Sequence, residues 1–216
     1  LTNSGVEVNA RGITAACKAG YNVIPNFYPF AQNQEQTIAE TLEAIAIYFR
    51  HLGPYFWALE LNFSCPNAKE KIQENMQNAL GCVKAIRQAH PNLILIAKIS
   101  ILHPYEFAKE LINAGVNVIH ASNTIPYNLV YPQGPPSPLQ AVGGGGVSGG
   151  PAFSQALSFN KILRRRISAP IIMGCGVMDL WDVDTYRRIG ANAVSICTVC
   201  RLNPHGAIKL IEEYAA

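Results

Sequence analysis

The stretch LELNFSCPN, residues 59–67, reads in two halves. Leu59, Leu61 and Phe63 alternate with Glu60, Asn62 and Ser64, the period of a β-strand with one apolar and one polar face. Then the pattern stops. Ser64, Cys65, Pro66 and Asn67 place a hydroxyl, a thiol and an amide at the strand's end, and Pro66 stiffens the turn that carries them. A strand that ends in reactive and hydrogen-bonding side chains points to a fold that collects its strand ends at a site.

The chain on either side repeats one theme. Residues 21–29, 56–64, 93–100, 116–123, 170–177 and 192–199 read as strands. Residues 35–51, 73–90, 104–115, 153–167, 179–190 and 205–215 read as helices, with apolar residues such as Ile38, Leu42, Ile45 and Phe49 spaced three or four apart. Pro104 and Gly115 bracket one helix with the expected punctuation. Strands alternating with helices, with no hairpin detected, predict parallel pairing through right-handed crossovers. An open doubly wound sheet would gather polar residues at one crevice. Here they recur at several strand ends, which favours the α/β class and a TIM (β/α)8-type barrel. About six of its eight units are visible, so the N-terminal strands are expected to be missing. Residues 1–216 are read as a single, N-terminally incomplete barrel domain.

Alternation also assigns directions. Asn62 faces the barrel interior, and Lys98, sharing a face with Ile94 and Ile96, projects inward. Asn123 ends a face shared with Ile119 and Ala121. Each has an ordinary explanation alone: a lysine reaching for water, an asparagine forming a turn, Cys65 as a small buried hydrophobe. A shared cavity explains them together. The loop 124–150, with PQGPPSP and GGGGVSGG, is long enough to suggest function. With GCGV and ICTV at later strand ends, it offers backbone N–H groups of the kind that cradle phosphate.

Composition sets limits. Of 216 residues, 49% are hydrophobic and 14% charged, so the chain can bury a sizeable core. A formal charge of only +3 argues against nucleic acid as a partner. The run Arg164-Arg165-Arg166 reads as a solvated helix end. Six cysteines lack paired zinc-ligand spacing, and no metal is expected. Cys197 and Cys200, in a predicted strand, would point to opposite faces. Free thiols and the lack of a signal peptide or membrane-length apolar run suggest a cytoplasmic location.

The residues ELNFSCPN resemble the signature of dihydroorotate dehydrogenases, specifically class 1 enzymes and the related domain of dihydropyrimidine dehydrogenase. LTNSGVE, IAKIS, ASNTI, GGVSGG, IIMGCGV and AVSICTV follow in the family's order. The resemblance implies an FMN-dependent oxidation of dihydroorotate to orotate in pyrimidine biosynthesis, with a small pyrimidine as substrate. It implies Cys65 as catalytic base, where class 2 enzymes carry serine. It implies Asn62, Asn67, Asn123 and Thr124 for substrate. For the cofactor it implies Lys98, then Ser148 and Gly149, Cys175 and Gly176, and Cys197 and Thr198. A homodimer or an electron-transfer partner is a further implication.

Three departures qualify the resemblance. The family's first strands are expected to be missing from residues 1–216. The phosphate turns, Gly-Gly and Gly-Thr in the family, read Cys175-Gly176 and Cys197-Thr198. If the glycines serve a positive φ, cysteine would strain the turn; if they serve close approach, a thiol would crowd the phosphate. The backbone donors remain, so weakened FMN binding rather than loss is expected. The segment KIS stands where the family has Lys-Leu-Pro-Pro, and Ser154 near a common Lys-Pro. The alternatives are a related pyrimidine-reducing flavoenzyme domain and a catalytically silent barrel fragment.

Overall fold

The computed structural model describes residues 4–31, 33–63 and 72–215. Six strands form one parallel sheet in the order β1 (Asn26–Phe27), β2 (Ala58–Asn62), β3 (Ile94–Ile99), β4 (Val118–Ala121), β7 (Ile171–Gly174) and β8 (Ala193–Ser195). Helices α2 (Gln34–Leu52), α3 (Ile72–Ala89), α4 (Tyr105–Ala114), α6 (Phe153–Arg166) and α7 (Leu180–Arg188) connect or follow them. This is the predicted β/α-barrel arrangement over six units. Among the described residues, β1 and β8 are the two edges of the sheet.

Register separates the faces. Leu61, Ala97, Ile119 and Ile171 lie side by side across the sheet, each fully buried, on the face that the helices cover. Removing such side chains from water contributes about 1.5–3 kcal/mol for each large one. Asn62, Lys98, His120 and Ile172 form the adjoining row on the inner face. The inward direction of Asn62 and Lys98 is as the alternation predicts. On β4 the assignment is reversed: Ile119 and Ala121 face the helices, and His120 faces inward. The strand ends at Ala121, so its alternation does not extend to Asn123.

Other differences have local causes. The predicted strand at 21–29 shrinks to two residues because Pro25 has no N–H to donate, although its carbonyl accepts from Glu60 N at 2.9 Å. A helix the sequence reading missed, α1 (Val6–Lys18), buries Ala10 and Cys17 and packs Val6 and Ile13 on the core. Their 4, 3, 4 spacing was the available signal. Within the long loop, β5 (Ile125–Pro126) and β6 (Gly146–Val147) form a short antiparallel pair around α5 (Tyr127–Val130), so one pairing in the chain is not parallel.

The helices stop where their ends are satisfied. Asn33 caps α2 by accepting from Gln36 N at 2.9 Å. Gly115, at φ 117°, closes α4. Asp179 and Asp182 form a reciprocal capping box on α7. The arginine run at the end of α6 does more than meet solvent. Arg164 donates to the carbonyls of Ile167 and Ala169, and Arg166 pairs with Glu106 at 2.6 Å while lying over the Tyr105 ring.

Candidate functional site

The carboxyl ends of β2, β3 and β4 bring three of the expected residues together. Asn62 and Lys98 are register partners on the inner face. Asn123, just past β4, donates from Nδ2 to Asn62 Oδ1 at 3.3 Å, and its own Oδ1 accepts from Thr124 N at 2.8 Å. Thr124 is thereby held beside the asparagine pair. Asn123 N donates to Ile99 O at 3.0 Å, which fastens the turn to the end of β3. Cys65 and Asn67 lie outside the described residues. The strand that leads to them ends at Asn62, so they follow directly from this cluster in sequence.

The glycine-bearing turns meet at the same end of the sheet. Gly149 precedes α6, Gly176 follows β7, and Thr198 begins α8 (Thr198–Leu202). A Cβ on Gly149 would stand 3.0 Å from Thr198 Cγ2. A Cβ on Gly176 would stand 2.5 Å from Phe153 Cα and 2.7 Å from Phe153 N, at the start of α6. Both glycines have positive φ, 77° and 94°. Ser148 and Cys197 are exposed at the rim. The predicted strand 192–199 ends at Ser195, so Cys197 and Cys200 do not alternate across it. Cys197 precedes α8 and Cys200 lies within it, both as exposed free thiols.

Cys175 occupies the left-handed region, φ 72°, as the one non-glycine residue among those described to do so. That conformation costs a β-carbon-bearing residue about 1–2 kcal/mol. The turn is held by Tyr186, whose hydroxyl donates to Gly174 O at 2.8 Å and Cys175 O at 2.9 Å. Burial pushes the Cys175 thiol up to about 11, against the opposing charge of Lys98. The lysine therefore lies within electrostatic reach of both halves of the site. Nearby, the Ser122 hydroxyl is buried, with the Cys175 thiol as its hydrogen-bonding neighbour.

Four inner-face residues were missed as site candidates. Glu60 Oε2 lies 2.5 Å from His120 Nδ1, and His120 Nε2 lies 2.9 Å from Ser195 Oγ. Asn26 Nδ2 donates to Glu60 Oε1 at 2.5 Å. Burial, the largest single influence, pushes the Glu60 carboxyl up, but the His120 hydrogen bond, the His120 and Lys98 charges and the Asn26 amide together outweigh it and hold it low. The signal was present: His120 and Ser195 are each a lone polar residue between apolar neighbours in a strand.

The segment KIS has a local reason. Ser100 N donates to His103 Nδ1 at 3.1 Å, a bond a proline at that position could not make. Leu102 N donates to Ser100 Oγ at 3.2 Å, closing a turn. Ser154 Oγ donates to Gln155 Oε1 at 2.8 Å, and nothing in the structure ties this exposed residue to the site.

Comparison with known proteins gives one consistent answer. The family model described as dihydroorotate dehydrogenase matches residues 1–215. The dihydroorotate dehydrogenase B (NAD(+)) catalytic subunit of Trichlorobacter lovleyi is 28% identical over 193 residues, covering 88% of this chain and 60% of that protein. Its counterpart in Oceanobacillus iheyensis is 30% identical over 162 residues, covering 72% of this chain and 52% of the relative. The chain thus spans about half to three fifths of the length of these relatives. A ligand-free DHODH from Eimeria tenella superposes with a TM-score of 0.67 at 17% identity, covering 96% of this chain and 63% of that one. The same protein in complex with ferulenol gives 0.65 at 15%, with 97% and 61% covered. At these identities the superpositions establish the fold.

Proposed function

The chain belongs to the dihydroorotate dehydrogenase family, and we propose that it forms the flavin- and pyrimidine-binding face of a barrel enzyme that oxidises dihydroorotate to orotate in pyrimidine biosynthesis. The observation that carries this reading is the meeting of Asn62, Lys98 and Asn123 at the carboxyl ends of three adjacent strands. Residues 1–216 are taken as one barrel domain in this reading.

The residues fit FMN. Gly149 and Gly176 let these turns pack against Thr198 and the start of α6, where a Cβ would collide, and so bring their backbones together. Backbone N–H groups of glycine-bearing turns suit a phosphate. Ser148, Gly149, Cys175, Gly176, Cys197 and Thr198 would hold the phosphate and its chain, and Lys98 the ring. Cys175 is the one misfit, since its side chain stands where the turn favours glycine.

FMN supplies the hydride acceptor; the chain supplies everything else. Asn62, Asn67, Asn123 and Thr124 would orient the substrate, because amides match the alternating C=O and N–H edge of a pyrimidine. The Cys65 thiolate would take the proton from the carbon next to the one that loses hydride. The Lys98 ammonium would stabilise the negative charge that arises on the ring system. The relatives are named as catalytic subunits with NAD(+), which supports an electron-transfer partner that passes electrons to NAD. Among the described residues no helix is long and apolar enough to cross a membrane, and we place the protein in the cytoplasm.

Cys65→Ser tests the base. FMN should stay bound while reduction by dihydroorotate slows by about a hundredfold or more at neutral pH, because a serine hydroxyl is far less ionised there than a cysteine thiol. An unchanged reduction rate would remove Cys65 from that role. Loss of FMN would instead assign it to binding.

A further inference from the structure

We propose that Asn26, Glu60, His120 and Ser195 are positioning residues, a hydrogen-bonded chain whose proton on His120 sets how much of the Lys98 charge the site presents. The inference deepens the flavin reading for its use, while the charge coupling itself stands on the geometry alone.

The chain runs across the inner face from one sheet edge to the other, from β1 through β2 and β4 to β8. It is mostly out of water, with the His120 and Glu60 side chains 10% and 13% exposed. Both carboxylate oxygens of Glu60 receive a hydrogen bond, one from Asn26 and one from His120. Two such donors favour the ionised acid. Lys98 is the register neighbour of His120 on the same face, and its charge reaches Glu60. The titratable groups that face His120 are Glu60 from β2 and its register neighbour Lys98 from β3; Ser195 from β8 bonds its other ring nitrogen, Asn26 bonds Glu60, and the Lys98 charge also reaches Cys175 after β7.

Ser195 lets the chain hold either proton state without losing a bond. With neutral His120, Nδ1–H donates to Glu60 and the Ser195 hydroxyl donates to Nε2. With protonated His120, Nε2–H donates to Ser195 Oγ, and the hydroxyl turns its own hydrogen away. Gly174 makes room for that hydroxyl, since a Cβ there would stand 1.9 Å from Ser195 Oγ. The consequence is electrostatic. When His120 carries a proton, Glu60 is matched by it and the Lys98 charge is left over. When His120 is neutral, Glu60 offsets Lys98. Negative charge placed beside Lys98 therefore draws a proton onto His120, through a low-dielectric interior where such coupling is strong.

Histidine proton NMR of the full chain, followed from about pH 5 to pH 8, tests this. The His120 signal is identified by its loss in His120→Gln. In Lys98→Met its titration should move to higher pH by about one pH unit, and in Glu60→Gln to lower pH by a similar amount. Lys98 is only part-buried, so Lys98→Met should fold even if Glu60→Gln does not, and it decides alone. A His120 titration that ignores Lys98→Met overturns the inference. Repeating it with FMN bound, before and after dithionite reduction, should show a further move to higher pH on reduction. A chain that shows the Lys98→Met effect but takes up no FMN supports the coupling and counts against the flavin reading, so the two failures are told apart.

Discussion

His103 shows how one side chain can set the acid limit of the whole chain. Its Nδ1 accepts from Ser100 N, which leaves the hydrogen on Nε2, 3.2 Å from Asn75 Oδ1. Burial pushes its pKa down to about 4 from 6.5. Between those values the unfolded chain holds a proton that the folded chain refuses. The contribution is therefore complete above pH 6.5 and is lost as pH falls toward 4. It amounts to about 3 kcal/mol. Urea unfolding across that window should show the slope in the parent and lose most of it in His103→Asn. A second residue-level prediction concerns Cys175. Cys175→Gly relieves the left-handed strain, so it should change stability by no more than about 1 kcal/mol in either direction. Cys82→Gly, which opens a hole in the middle of α3, should cost about 2 kcal/mol or more. Equal losses at the two positions, measured by urea unfolding, would contradict the strain. The sequence could warn of the Cys175 strain only through the resemblance, because a positive φ leaves no mark on periodicity. His103 was not singled out at all: its burial comes from the turn at Ser100, a contact that spacing does not reveal.

At the scale of elements, the helices and the strands with regular alternation were legible. The faces of β2 and β3 follow from one apolar residue in two. β4 did not yield, because both of its faces carry apolar residues and the polar one among them, His120, was passed over for Asn123. The strands that were overcalled, at 21–29 and 192–199, end where Pro25 withholds a donor and where the chain turns into α8. Spacing alone cannot see either event. The turn between β7 and α7 is the element on which the proposed phosphate site most depends. Gly176→Ala would press a methyl against the Phe153 backbone at positive φ. It should cost about 2 kcal/mol or more of stability and weaken FMN binding by about tenfold or more. A variant with parental FMN affinity by fluorescence titration would show that this turn does not contact the cofactor.

For the molecule as a whole, the parallel order of six strands and the gathering of polar residues at one end were readable from the alternation of units. The partners of that gathering were less so. The contacts among Asn26, Glu60, His120 and Ser195 join β1, β2, β4 and β8, residues up to 75 apart in the chain, and only the assembly of the sheet brings them together. The account's central claim is that this inner face holds FMN against a dihydropyrimidine. The direct measurement is anaerobic: the purified chain is loaded with FMN, dihydroorotate is added, and the visible flavin absorbance is followed. The account predicts that the bound flavin bleaches as orotate appears in equal amount. A chain that binds no FMN, or whose bound FMN keeps its colour with dihydroorotate in excess, would contradict it.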